Sequence, residues 1–192
     1  MAKVIAFNGS ARKHGNTAML IDTVLRELIS EGIETEVYDL AGKPIKGCIA
    51  CYQCFKNKDR RCAVEDDILN ECIARMIEAD GILLGSPTYF ADVSAAMKAL
   101  IERSGMVSRA NDDMLRRKVG AGIVAARRAG AAHVFSSLNY FFLISQMIVP
   151  GSSYWNIGIG REPGEVKNDS EGLQTMKTLG QNIAWLLKKI HG

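Results

Sequence analysis

Short apolar runs alternate with amphipathic segments about five times along the chain, and this alternation restricts the fold more than any other feature. KVIAFN (3–8), ETEVYDL (34–40), GILLGS (81–86), KVGAGIVAA (118–126) and SSYWNIGIG (152–160) read as strands. Several of these are nearly continuous apolar stretches, the pattern of strands buried on both faces. Between and after them lie helical segments. In 16–30 the apolar positions Ile21, Val24, Leu25 and Leu28 form one stripe. Residues 65–79 open with acidic side chains, which favour a helix N-terminus. Segments 91–104, 131–149 and 171–190 complete the set. Alternating strands and helices predict a parallel sheet with helices on both faces. At 192 residues one domain is expected, 1–192, carrying a cysteine-rich insertion at about 47–63. The polar stretch GREPGEVKNDSEG (160–172) reads as disordered.

Composition excludes several classes. A net charge of +3 is too small for a nucleic-acid surface. No apolar run is long enough to cross a membrane. The short VIAF stretch near the N-terminus is not a secretory signal, which points to the cytoplasm.

GSARKHGNT (9–17) joins the first strand to the first helix. In an open α/β sheet, ligands bind beyond the carboxyl ends of the strands, and a helix N-terminus there suits a phosphate. Ser10 and Thr17 supply hydroxyls, Asn16 an amide and Arg12 a charge. The loop matches neither the nucleotide-triphosphate fingerprint nor the dinucleotide one. Read alone, it is either a phosphate cradle or a plain polar turn.

This loop resembles the G-S-x-R-x-x-G-N-T phosphate loop of flavodoxin-like FMN reductases, and GSPTYFADVSAAMKALIER (85–103) resembles that family's second signature. The resemblance implies a flavodoxin-like three-layer sandwich, with a five-stranded parallel sheet in order 2-1-3-4-5 and FMN bound non-covalently. By position it implies that Ser10, Arg12, Asn16 and Thr17 hold the phosphate. Pro87, Thr88, Tyr89 and Phe90 would line the isoalloxazine ring, and ARRAG (126–130), through Arg127 and Gly130, would cover its far side. For Tyr89 or Phe90 alone, ordinary core packing is the competing expectation.

Cys48, Cys51, Cys54 and Cys62 are spaced C-x2-C-x2-C-x7-C. Three cysteines this close can converge on one centre, with a fourth further on. Zinc, disulfides and an empty reduced loop are the alternatives. The spacing also resembles the compact motif of the iron–sulfur flavoproteins, which implies a 4Fe–4S cluster on these four residues. Lys46, Lys56, Lys58, Arg60 and Arg61 surround them, as neighbours of an anionic cluster or as a solvated basic loop. The resemblance implies an oxidoreductase that exchanges electrons with a ferredoxin-like carrier, or with NAD(P)H and a small acceptor. A non-enzymatic electron carrier or redox sensor, and a zinc-stabilised binding module, are the readings from other classes.

In the 2-1-3-4-5 order the cysteine loop follows strand two. A cluster there would lie on the phosphate side of its own flavin, so electron transfer is expected to cross a subunit interface of a homodimer or homotetramer. The helix around Tyr140, Phe141 and Phe142 is the expected contributor to that interface. Cys72 is assigned to packing. His14, in the phosphate-type loop, reads as an exposed loop histidine rather than a ligand contact. His133 and His191 show no carboxylate or serine partners by spacing, and Glu102 and Arg103 read as exposed helix charges.

Overall fold

The computed structural model describes residues 1–191; Gly192, the last residue of the expected domain, lies outside them. Five strands, β1 (Lys3–Asn8), β2 (Glu34–Asp39), β3 (Gly81–Pro87), β4 (Val119–Ala126) and β5 (Ile157–Ile159), form one parallel sheet in the order β2-β1-β3-β4-β5. This is the flavodoxin-like arrangement that the alternation and the loop resemblance lead one to expect.

Every residue of β3 and β4 is buried, as their continuous apolar runs require. Alternation along β1 sends Ile5 and Phe7 into one core and Val4 and Ala6 into the other. The first core is closed by α3 (Leu69–Glu78), α4 (Ala95–Ala110) and α5 (Ala131–Ile144). The second is closed by α1 (Asn16–Ser30) and α6 (Ser170–His191). These two helices pack so closely that a Cβ on Gly180 would lie 2.7 Å from the Val24 carbonyl oxygen.

Several boundaries differ from the expected ones. Helix α4 starts at Ala95 rather than 91, because Ser94 caps it by accepting a hydrogen bond from the Met97 N–H at 3.2 Å. Helix α5 ends at Ile144 rather than 149. Ile148 instead pairs with the start of β4, its N–H donating to the Lys118 carbonyl at 2.9 Å. The fifth strand is only three residues long, and Tyr154 and Trp155 before it stand exposed. A short helix, α2 (Gln53–Asn57), forms unexpectedly inside the cysteine loop.

Four wider expectations fail. Segment 160–172 is ordered: it holds a 3-10 turn at Glu165–Asn168, a buried Val166 and the start of α6. Arg103 is 1% exposed rather than a surface charge. Phe141 and Phe142 are core residues, so only Tyr140 of the aromatic trio is exposed, flanked by Leu143 and Ile144. His133 and His191 also have partners that lie far off in sequence, Asp92 at 3.7 Å and Asp80 at 3.4 Å. Among the described residues no helix is long and apolar enough to cross a membrane.

Candidate flavin cleft and cysteine pocket

The first site lies at the carboxyl ends of β1, β3 and β4. A cleft of ≈ 180 Å³ is lined by Ser10, Arg12, Asn16 and Thr17, by Pro87, Thr88 and Tyr89, and by Arg127. Three loops far apart in sequence therefore meet as the strand order demands. Phe90 and Gly130 do not line the cleft. Phe90 stands fully exposed at a loop tip in the left-handed region, φ 49°, where Tyr89 and Asp92 pair backbone to backbone. Gly130, φ 86°, precedes α5; a Cβ there would meet the Thr88 methyl at 3.2 Å.

The phosphate-type loop is built locally. The Ser10 N–H donates to Asn8 Oδ1 at 3.1 Å, and Ser10 Oγ accepts from the Arg12 N–H at 3.1 Å. Asn8 is in turn fixed by donating to Asp39 at 2.8 Å. Gly15 opens α1, and neither a capping side chain nor an acidic residue occupies the first turn. The positive end of the helix dipole thus faces the cleft unneutralised. Across the cleft, Thr88 Oγ1 is buried without a hydrogen-bond partner. Such an orphan inside a polar cleft calls for a ligand atom. A ligand with a phosphate at one end and hydrogen-bonding ring edges at the other fits both features.

Gly160 and Arg161 also line this cleft. Sequence reasoning missed them by treating 160–172 as disordered. The available signal was their place at the carboxyl end of β5, where the same ligand rule applies.

The second site is the cysteine loop, which lies along α4. Cys48, Cys51, Cys54 and Cys62 line one small pocket, together with Arg103 and Met106 of α4. All five cysteines are free thiols. Cys48 and Cys51 are exposed, Cys54 is buried and Cys62 half-buried. Burial raises the Cys54 thiol above its ordinary pKa, and burial pushes Cys72, in the core of α3, up to about 12. The non-glycine residues Ala50, Tyr52, Lys58 and Arg60 have φ of 50–61°, a conformation that costs about 1–3 kcal/mol each. Contacts from outside the loop hold it in this shape.

Arg103 is the main clamp. Its Nε and Nη2 donate to Cys62 Sγ at 3.4 and 3.3 Å, and Nη2 also donates to the Val64 carbonyl at 2.9 Å. Nη1 donates to the Lys46 carbonyl at 3.1 Å and to the fully buried Asp67 carboxylate. Burial alone would raise the Asp67 pKa. Hydrogen bonds from Arg103 and from the Lys46 and Leu69 N–H groups outweigh it, so Asp67 titrates below the usual carboxylate range. Asn70 holds Cys62 from the other side: its Oδ1 accepts from the Cys62 N–H at 2.8 Å and its Nδ2 donates to the Cys62 carbonyl at 2.9 Å. Glu102 and Asn111 accept from the Cys48 and Arg60 N–H groups at 3.4 and 3.0 Å. The pocket thus sits beside the middle of α4: Arg103 is nine residues past Ser94, or roughly 14 Å along the axis. Among the described residues no three His, Cys, Asp or Glu side chains surround a single point as they would a lone metal ion.

A sheet of this order with such a cleft defines a flavodoxin-type flavin protein. The family model for NADPH-dependent FMN reductases matches residues 2–162, and the chain belongs to that family; it is a flavin oxidoreductase. Relatives carry a narrower name. An iron-sulfur flavoprotein of Methanocaldococcus jannaschii is 40% identical over 98% of each chain, and one of Methanosarcina thermophila is 30% identical over 98% of this chain and 96% of its own. Among solved structures, RosB with bound 8-demethyl-8-formylriboflavin-5'-phosphate superposes with a TM-score of 0.76 at 21% identity, covering 99% of this chain and 80% of that one. An NAD(P)H:quinone oxidoreductase from Methanothermobacter marburgensis gives 0.70 at 15% identity, over 95% and 98% of the two chains. These two establish the shared fold.

Proposed function

We propose that this chain is an oxidoreductase of the iron–sulfur flavoprotein type, with FMN in the cleft and a 4Fe–4S cluster on Cys48, Cys51, Cys54 and Cys62. The observation that carries the reading is the cysteine pocket itself. All four thiols line it, and a buried guanidinium donates twice to the fourth. A cluster on four thiolates is anionic, and N–H donors to sulfur stabilise it and raise its potential. The names of the relatives at 30–40% identity support the same reading.

When bound, FMN supplies one- or two-electron redox chemistry and the cluster one-electron chemistry. The chain's residues bind, orient and shield. The Ser10 and Thr17 hydroxyls, the N–H groups that open α1 and the Arg12 guanidinium suit a phosphate dianion. Pro87, Thr88 and Tyr89 face the ring edge, with Thr88 Oγ1 gaining the partner it lacks. Arg127 covers the far side; Gly130 shapes the turn behind it, and Phe90 at the loop tip faces outward. No side chain is assigned as a catalytic acid or base.

Exposed Arg12, Lys13, Arg127, Arg128 and Arg161 lie on the loops that form the cleft. These cations favour an acidic electron carrier, ferredoxin-like in chemistry, as the partner. The exposed apolar face of Tyr140, Leu143 and Ile144 supports a homodimer or homotetramer. Five free thiols suit the reducing cytoplasm.

A second reading, a cluster-free NAD(P)H-dependent reductase of FMN or quinones, is favoured by the family match and by the lack of a convergent metal-ion site among the described residues. Anaerobic dithionite titration separates the two. The first requires about three electron equivalents per chain, two for the flavin and one for the cluster. The second requires about two.

A further inference from the structure

Residues 160–168 fold back over the first turn of α1 as a strap, and Asn16 ties them down. Its side chain, 9% exposed, makes all three of its hydrogen bonds to this segment. Nδ2 donates to the Glu162 carbonyl at 3.0 Å, and Oδ1 accepts from the Gly164 and Val166 N–H groups at 2.9 and 3.4 Å. The strap is also fixed internally and to the sheet. Glu165 accepts from the Arg161 and Glu162 N–H groups at 2.8 and 3.0 Å, and the Gly160 N–H donates to the Ala126 carbonyl at 2.9 Å. A Cβ at Gly160 would lie 2.6 Å from the Val166 nitrogen and 2.8 Å from Asn16 Nδ2, so only glycine allows the approach.

The strap sets Arg161 on the same cleft as Ser10, Arg12 and Thr17. Arg161 Nε faces the Glu162 carboxylate at 3.2 Å, which orients the guanidinium. Neither Nη atom has a hydrogen bond among the described residues. A planar, oriented guanidinium with two open donors beside an uncapped helix N-terminus matches a terminal phosphate.

We infer that Arg161 binds the flavin phosphate directly and that Asn16 is a positioning residue, its side-chain amide holding the strap rather than the ligand. This rests on the reading of the cleft as an FMN site. It reassigns Asn16 from ligand to strut and makes the strap the fourth wall of the site. The pair then adds to the preference for FMN over riboflavin, which has the same ring and ribityl chain but no phosphate.

The test is the dissociation constant of each flavin, read by fluorescence quenching, for the native chain, Arg161→Gln, Asn16→Ala and the double variant. Arg161→Gln is expected to weaken FMN about tenfold and leave riboflavin unchanged. Asn16→Ala is expected to reproduce that FMN-selective loss. The double variant should be no weaker than Asn16→Ala, because both changes remove one interaction. If Asn16→Ala does not fold, Asn16→Ser, which removes the amide without adding charge, should give the same FMN-selective loss. Equal losses for both flavins with Arg161→Gln, or additive losses in the double variant, would overturn the inference. A native chain that binds FMN no better than riboflavin would instead overturn the FMN reading beneath it.

Discussion

The flavin cleft and the cysteine pocket are built in opposite ways. The cleft is lined by side chains at the ends of strands, and most of its cations are exposed. Its shape follows from the sheet, so changes to its residues should alter binding and leave the fold intact. The pocket depends on Arg103, with 1% of its surface exposed, and on Asp67, whose side chain is entirely buried. It winds an otherwise strained loop around one ion pair. Here the buried pair Arg103–Asp67 cannot be changed without loss of stability.

Substituting the clamp should give the largest effect. Arg103→Met leaves the Asp67 carboxylate buried without its partner, and the expected loss is about 3–5 kcal/mol in urea unfolding. A loss below about 1 kcal/mol would mean that the loop is held by its backbone contacts and that the contrast between the two regions is false.

In the cleft, Arg12→Gln should weaken FMN about tenfold or more through loss of a charge-assisted contact. Its effect on unfolding of the flavin-free chain should stay within about 0.5 kcal/mol, because the side chain is exposed. A large stability loss there would blur the comparison from the other side.

The smallest effect should come from Cys48→Ser. Cys48 is exposed, so the cluster-free chain should unfold within about 0.5 kcal/mol of the native one while iron retention falls. Iron retained in full would remove Cys48 from the proposed ligand set.

The same contrast explains what could be read from the sequence. The strands and the cleft were legible because they rest on local patterns: apolar runs, a glycine-bounded loop and a short second signature after β3. The strand order came only with the family resemblance that those two loops carry. Strap residues 160–168 were not, because their order comes from Asn16, about 150 positions away. The His133–Asp92 pair was hidden for the same reason. Arg103 was misread despite an available clue. It lies three residues after Leu100 and four before Val107, both buried, which places it on the apolar stripe of α4. A charge on that stripe announces a buried partner. The spacing cannot name Asp67 as that partner, nor the sulfur that shares the guanidinium. The left-handed residues Ala50, Tyr52, Lys58 and Arg60 left no trace either, since none is a glycine or asparagine.

The most direct test is a visible absorption spectrum of the chain purified without oxygen, with iron and acid-labile sulfide assayed on the same sample. The account predicts flavin bands on a broad iron–sulfur shoulder, with about four irons and about four sulfides per chain. Clean flavin bands without iron would contradict it and leave an NAD(P)H-dependent reductase with an empty cysteine pocket.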